Sequence, residues 1–397
     1  MVKRVVRIQL PAKKLFEDLT VLAKNLYNTA TYLVRQTFFK TGKIIRYYSL
    51  WNKMKEIEDY KELKNLAGAQ TPQQLLRIVD ATWGGYKKAK EDWRINPEKY
   101  LGKPKIPGYL PKNGYFIVVW SKQQVRIRDG EVRVQECLMK EGFPAIPIEK
   151  LPITKGNYSI VRLKPFFDKF VLELVYEKEL PASKVREEQE VLGLDLGVNN
   201  LIATSDGLLI KGGVVKSINQ FFNKQKAKIQ KQLSKQDLKT SKRKKQLMRW
   251  HHEKLHDLFH KASKTIIQHC LENNIFSLVI GRNKSWKQNI RMMKKTNQNF
   301  TSIPFNKLIQ MLQYKAEEQG IEVIFVTEEY TSQTCSSCSH RSRKNRKYRG
   351  LFICKKCNLV SNADVNAAKN IVKKAFPEFD RIRDRGSVAL PRKHIAL

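Results

Sequence analysis

From Val2 to Leu10 apolar and polar residues alternate, which predicts a strand, and then Leu15, Leu19, Leu22, Leu26, Ala30 and Leu33 recur at helical spacing. A helical insert continues. Thr71-Pro72 reads as an N-cap with a first-turn proline, and Leu75, Val79, Trp83, Tyr86 and Trp93 extend one apolar stripe, loosened at Gly84-Gly85. After a loop marked by Pro104, Pro107 and Pro111 the period returns to two, with a hairpin turn at Asp129-Gly130 and strands near 158–163 and 169–176. A first strand whose partners lie so far along the chain predicts a small β-barrel with a helical insertion. The polar stretch Glu177 to Glu190 reads as a linker.

The second half has a different order. Strands are predicted at Val191 to Leu196, Leu201 to Thr204 and Leu208 to Val215, the chain turning at Asp206-Gly207. Residues 217–273 are helical by pattern, with Leu255, Phe259, Ala262, Ile266 and Cys270 on one stripe. Phe276 to Ile280 is a short buried strand, Pro304 opens a helix that stops at Gly320, and Ile321 to Val326 is the next strand. A three-strand meander followed by alternating helices and strands is the order of the ribonuclease-H-like α/β fold.

Charge narrows the choice of partner. The chain holds 76 Lys plus Arg against 37 Asp plus Glu, a net +39, and residues 223–249 alone carry eleven basic residues and one acid. Such a field attracts a polyanion, and nucleic acid is the default one. A membrane is disfavoured, because the basic residues are spread along the chain and there is no apolar run of eighteen residues. Nor does the N-terminus have the apolar core of a signal peptide, so a soluble, cytoplasmic and nucleoid-associated protein is expected.

Two features promise chemistry. Cys335-x-x-Cys338 and Cys354-x-x-Cys357, with fifteen residues between the pairs, have the spacing of a structural zinc site, and the connecting loop is rich in Arg and Lys (Arg341, Arg343, Lys344, Arg346, Lys347, Arg349). Cys137 and Cys270 are left over as unpaired thiols. Asp195 interrupts the apolar strand Val191-Leu-Gly-Leu-Asp-Leu-Gly-Val, and Gly193 and Gly197 on its face are expected to leave room for a metal and a phosphate. Asp364 opens the last helix beside Asn362 and Asn366; alone it is a favourable helix-start acid, but paired with Asp195 it suggests carboxylates converging on magnesium. His252-Glu-Lys-Leu-His256, with His260 a turn later, matches a zinc-protease pattern but sits in a basic helix without the longer motif, and these histidines are expected to face phosphate or solvent. Lys284, Trp286, Lys287, Arg291, Lys294 and Lys295 form a further basic, aromatic-containing loop.

Gly193-Leu-Asp195-Leu-Gly197-Val198, Tyr330-Thr-Ser-Gln-Thr-Cys335-Ser-Ser-Cys338, Cys354-Lys-Lys-Cys357 and Asn362-Ala-Asp364-Val-Asn366-Ala-Ala together resemble the TnpB family, the RNA-guided nucleases of insertion sequences related to type V CRISPR effectors. The match is close over roughly 191–204 and 321–373, looser over 217–290 and architectural over 1–190. The resemblance implies a wedge β-barrel with a helical recognition insertion (1–185, insertion about 11–100), a RuvC-like nuclease domain (186–330, basic helical insertion about 217–273), a zinc ribbon (331–360), a final RuvC helix (361–374) and a tail (375–397). It further implies a guide RNA and double- and single-stranded target DNA as partners, structural zinc on the four cysteines, and catalytic magnesium, or manganese in its place, on an acidic triad. The first and third acids fall on Asp195 and Asp364. The family's second acid, a Glu closing the strand Ser277-Leu-Val-Ile280, is replaced here by Gly281. The expected substitute is Glu328 from Thr327-Glu328-Glu329-Tyr330 on the next strand, with Glu329 in reserve, because strands about 4.8 Å apart allow a Glu to bridge the gap. The alternative is a nuclease-deficient RNA-guided DNA binder or repressor. A transposase with an Asp, Asp, Glu set fits less well, since such enzymes end on Glu.

Overall fold

The computed structural model describes residues 1–149, 151–154, 156–182, 190–282, 294–348, 350–377 and 393–395. Met1–Glu179 and Leu180–Leu397 form two separate compact units. The basic loop around Lys284, Trp286, Lys287 and Arg291, Arg349, and most of the predicted tail and linker lie outside the described residues.

In the first unit β1 (Val2–Leu10) leads into four helices, α1 (Lys14–Thr41), α2 (Tyr47–Met54), α3 (Glu58–Ala67) and α4 (Gln70–Ile95). The strands β2 (Val118–Ser121), β3 (Arg126–Arg128) and β4 (Glu131–Arg133), the short α5 (Glu136–Lys140), and β5 (Ile146–Pro147), β6 (Tyr158–Phe166) and β7 (Lys169–Lys178) follow. Alternation closes the long-range pairing: β1 runs antiparallel to β7, with Val2 opposite Lys178 and Leu10 opposite Phe170. The expected barrel is instead two open sheets, β1-β7-β6-β2 and β3-β4-β5. The strands of the second sheet are only two or three residues long, too short for the register that closure requires. Phe16 on α1 meets Phe143 and Phe170 edge-on at 5.5 and 5.7 Å, and Trp83 and Trp120 are wholly buried.

Two local expectations change. Thr71 is not a cap; its hydroxyl donates to the Ala67 carbonyl at 2.7 Å, and α4 starts earlier because Gly68, at φ +89°, breaks the chain there. Helix α4 also runs unbroken through Gly84-Gly85. The Asp129-Gly130 turn is as expected, both residues lying at positive φ (51° and 72°), the geometry of a tight hairpin.

The second unit continues with β8 (Glu190–Asp195), β9 (Asn200–Thr204), β10 (Leu208–Lys211), α6 (Gly213–Lys235), α7 (Lys242–Glu272), β11 (Ile275–Gly281), α8 (Lys294–Thr301), α9 (Phe305–Glu317) and β12 (Glu322–Val326). The hairpin strands β13 (Arg346–Tyr348) and β14 (Leu351–Ile353), β15 (Val360–Asn362), α10 (Ala363–Ala375) and β16 (Lys393–Ile395) complete it. The third strand ends at Lys211, four residues before its expected end, because Gly212 and Gly213 start a helix. The main sheet has the order β12-β11-β8-β9-β10-β16: an antiparallel meander β8-β9-β10, with β11 and β12 added in parallel beside β8. Leu255, Phe259, Ala262, Ile266 and Cys270 of α7 are all buried in its core, as the stripe predicts. The tail contributes an unforeseen strand, β16, parallel to β10.

Helix α10 packs on β8 at very close range. A Cβ at Gly193 would stand 2.3 Å from the Ala368 carbonyl oxygen and 2.6 Å from Val372, so this glycine makes room for a helix rather than for a metal. At Gly197 the Cβ would meet the Asn200 carbonyl at 2.9 Å, again a packing requirement.

Candidate functional site

Asp195 ends β8, Glu328 follows β12 and Asp364 is the second residue of α10, so three different elements deliver the acids. Burial, together with the neighbouring negative charge of Asp364, pushes the Asp195 carboxyl up to about 7, with Arg346 opposing. Burial and the charge of Asp195 push Glu328 up to about 8, against Lys374. Asp195 therefore feels the charge of Asp364 and in turn acts on Glu328. Asp364 is held from several sides: Asn200 Nδ2 donates to Oδ2 at 2.9 Å, Arg346 Nη2 to Oδ1 at 3.2 Å, and Asn362 caps its helix by accepting from the Asp364 and Val365 amides at 3.0 and 3.2 Å.

Glu328 lies on Gly281. A Cβ built at Gly281 would fall 2.6 Å from Glu328 Cγ, 2.7 Å from its Oε1 and 2.8 Å from Ile371 Cδ1, so the Glu side chain fills the volume that any larger residue at 281 would need. Parallel pairing of Gly281 with Val326 sets this up, since Glu328 is two residues beyond that register position. Glu329 is exposed, and its carbonyl accepts a 2.6 Å bond from Lys374 Nζ.

The four cysteines converge, with ligand atoms all within 4.8 Å of one another. Cys335 and Cys357 Sγ are 3.6 Å apart, Cys338 and Cys354 Sγ 3.5 Å. A tetrahedral ion with metal–sulfur bonds of about 2.3 Å has sulfurs about 3.8 Å apart, so this soft donor set fits such a metal with little movement. Among the described residues no other group of His, Cys, Asp and Glu gathers three ligands so tightly, and the three acids are therefore more widely spread than the thiols. The cysteine cluster connects to α10 through asparagines. Asn366 accepts from the Ser336 amide at 2.9 Å and donates to Thr334 O at 2.8 Å, and Asn370 donates to Thr331 O and Thr334 O at 2.8 and 2.7 Å. Asn200 and Asn370 escape a sequence reading; the only trace of Asn370 is a polar residue one turn after Asn366 on a buried helix face.

Among the described residues the histidines of α7 do not belong to a cluster of three metal-ligating atoms. His252 stacks on His256 at 5.8 Å between ring centres, His256 meets His260 at 4.4 Å, and all three are half-buried rather than facing solvent. The adjacent His251 bonds Asn219 at 2.7 Å and stacks on Phe222, and burial pushes it down to about 4.

Residues 305–371 match the family model "Cas12f1-like, TNB domain", and residues 173–287 match the IS605 OrfB model, "Probable transposase". InsQ of Escherichia coli K12, described as a candidate RNA-guided DNA endonuclease, is 29% identical over 221 residues, 51% of this chain and 53% of InsQ. A TnpB-like protein of Methanocaldococcus jannaschii is 27% identical over 268 residues, covering 68% of this chain and 85% of that protein. The CRISPR-associated endodeoxyribonuclease Cas12f1 of Sulfoacidibacillus thermotolerans is 45% identical over 85 residues, 21% of this chain and 19% of the relative. The chain thus spans about half the length of InsQ. In fold it resembles a Cas12f1 solved by cryo-EM in complex with sgRNA and target DNA, at a TM-score of 0.55 and 17% identity over 90% of this chain and 81% of that one. Both family models and these relatives agree: over the matched segments the chain is similar to TnpB-like proteins and to the Cas12f nucleases.

Proposed function

We propose that the protein is an RNA-guided DNA endonuclease in which Asp195, Glu328 and Asp364 hold magnesium, or manganese, and hydrolyse phosphodiester bonds. The carrying observation is Glu328 seated on Gly281: a carboxylate occupies the place where the family's second acid would stand, which favours a relocated Glu over a decayed nuclease. Hard oxygen donors suit magnesium, and a cation would relieve the burial and mutual repulsion that raise Asp195 and Glu328. Bound magnesium would activate water and stabilise the leaving oxygen. Asn200 and the capping Asn362 orient Asp364, and Arg346 brings a positive charge beside it where a phosphate would arrive.

In this reading residues 1–185 bind the guide RNA and recognise a short motif beside the target, residues 186–330 and 361–374 cut double- and single-stranded DNA, and the cysteines at 335, 338, 354 and 357 hold zinc in a ribbon over 331–360. InsQ, described as a candidate RNA-guided DNA endonuclease, and the Cas12f1 solved with sgRNA and target DNA support these partners. The test is magnesium-dependent cleavage of a plasmid library by protein co-purified with RNA from its own locus, beside Asp195→Ala. Cutting that disappears in the variant while guide-dependent DNA binding persists is expected; guide-dependent binding without cutting by the wild type would leave a programmable DNA binder.

A further inference from the structure

On the face of the first unit's sheet opposite its core, β7 buries a carboxylate. Glu173 is 2% exposed and lies directly across from Arg7 on β1 and Arg162 on β6. Arg7 Nε donates to its Oε1 at 3.0 Å and Arg162 Nη2 to its Oε2 at 2.8 Å, while Lys164 Nζ reaches both oxygens at 3.3 and 3.2 Å. A buried carboxylate requires a charged partner, but one guanidinium suffices. Here three cations share one acid, leaving two positive charges uncompensated, and Lys3 faces Glu177 on the same pair of strands, so that couple adds no net charge. The basic side chains remain accessible, at 56% for Arg7, 30% for Arg162 and 39% for Lys164.

We propose that Glu173 is a positioning residue that holds Arg7, Arg162 and Lys164 together as a seat for a backbone phosphate of the bound RNA. The assignment to RNA rests on the reading above, in which the first unit carries the guide. Long basic side chains normally lose rotamer freedom when they grip a ligand, and tethering them beforehand to one fixed acid reduces that cost. Charge-assisted bonds to the phosphate can then form from guanidiniums already turned the right way.

The sign of one substitution separates this from simple electrostatics. Glu173→Gln adds a positive charge, so an undirected basic surface would bind RNA more tightly. With the full-length protein, a fluorescent transcript of the co-purifying RNA and a DNA duplex of equal length, fluorescence anisotropy is read across a salt series, with circular dichroism melts alongside. The expected result is about fivefold weaker RNA binding and a shallower salt slope for Glu173→Gln, the same for Arg7→Ala with the slope reduced by about one, and near-wild-type binding for Glu173→Asp. If Glu173→Gln melts early, Arg7→Ala, whose side chain is more than half exposed, decides the matter. RNA binding by Glu173→Gln that equals or exceeds the wild type in a folded protein, unchanged binding by Arg7→Ala, or weakening confined to the DNA duplex would overturn the proposal. A wild-type protein that binds neither probe would instead overturn the function proposed above.

Discussion

Gly281 and Glu328 compete for one volume. With the Gly281 Cβ position 2.6 Å from Glu328 Cγ and 2.8 Å from Ile371, even a methyl group must displace the carboxylate or the helix behind it. Gly281→Ala is therefore expected to lower magnesium-dependent cleavage about 100-fold, the scale of an ångström-sized misplacement, with RNA retention unchanged. The transposed pair Gly281→Glu with Glu328→Ala should recover part of that activity, because it returns one carboxylate to the same space from the neighbouring strand. Rates for the two variants and for Glu328→Ala, measured on one substrate, decide it: a transposed pair no better than Glu328→Ala alone would remove Glu328 from the triad. The sequence makes half of this visible. A missing Glu and a spare one on the next strand can be read from the letters, whereas the contact that makes the glycine obligatory arises only when β11 and β12 pair in register.

Helix α10 links the two candidate centres. Its N-terminus presents Asp364, its flank packs on β8 at Gly193, and Asn366 and Asn370 attach it to the backbone around Cys335. Removing the metal should thus be felt at the acids. Cys354→Ser is expected to cut zinc content to about a tenth or less of the wild-type value and to lose cleavage although no acid has changed; full zinc by plasma emission spectrometry would count against the cysteine site. A second link joins the β9–β10 turn to the end of α7. Burial works against the Asp206 charge, but His269 Nε2, 2.6 Å away, and the Thr204 hydroxyl hold its carboxyl below the ordinary range. A depressed carboxyl stabilises the fold above the unfolded-chain value of about 3.9, and that contribution is lost as pH falls through the lower folded value. Asp206→Asn should lower the melting midpoint by about 2–4 °C near neutrality, and the gap should close once pH falls below the depressed folded value of the Asp206 carboxyl. A gap of equal size at both extremes of pH would show that the hydrogen-bonded Asp206 carboxylate is not the cause.

For the whole molecule, the sequence discloses what is local or periodic. The cysteine spacing, the α7 stripe and the meander before two further strands need only neighbours in sequence, and each is found in the structure. Long-range arrangements were harder to read. The barrel expectation gives way to open sheets because alternation specifies which face is buried but not which edges meet. The glycines beside Asp195 look like space for a ligand until α10 is placed against them. Strand β16 is the extreme case, three residues near the C-terminal end that pair with Leu208, Leu209 and Ile210. Without it, β10 would be the outer strand of the sheet, with a row of open amide and carbonyl groups on an almost wholly apolar segment. Strand β16 therefore covers an edge that could otherwise pair with another molecule: a chain clipped before Lys393 would keep every residue of both candidate centres, and it is expected to self-associate more readily than the full chain on size-exclusion chromatography.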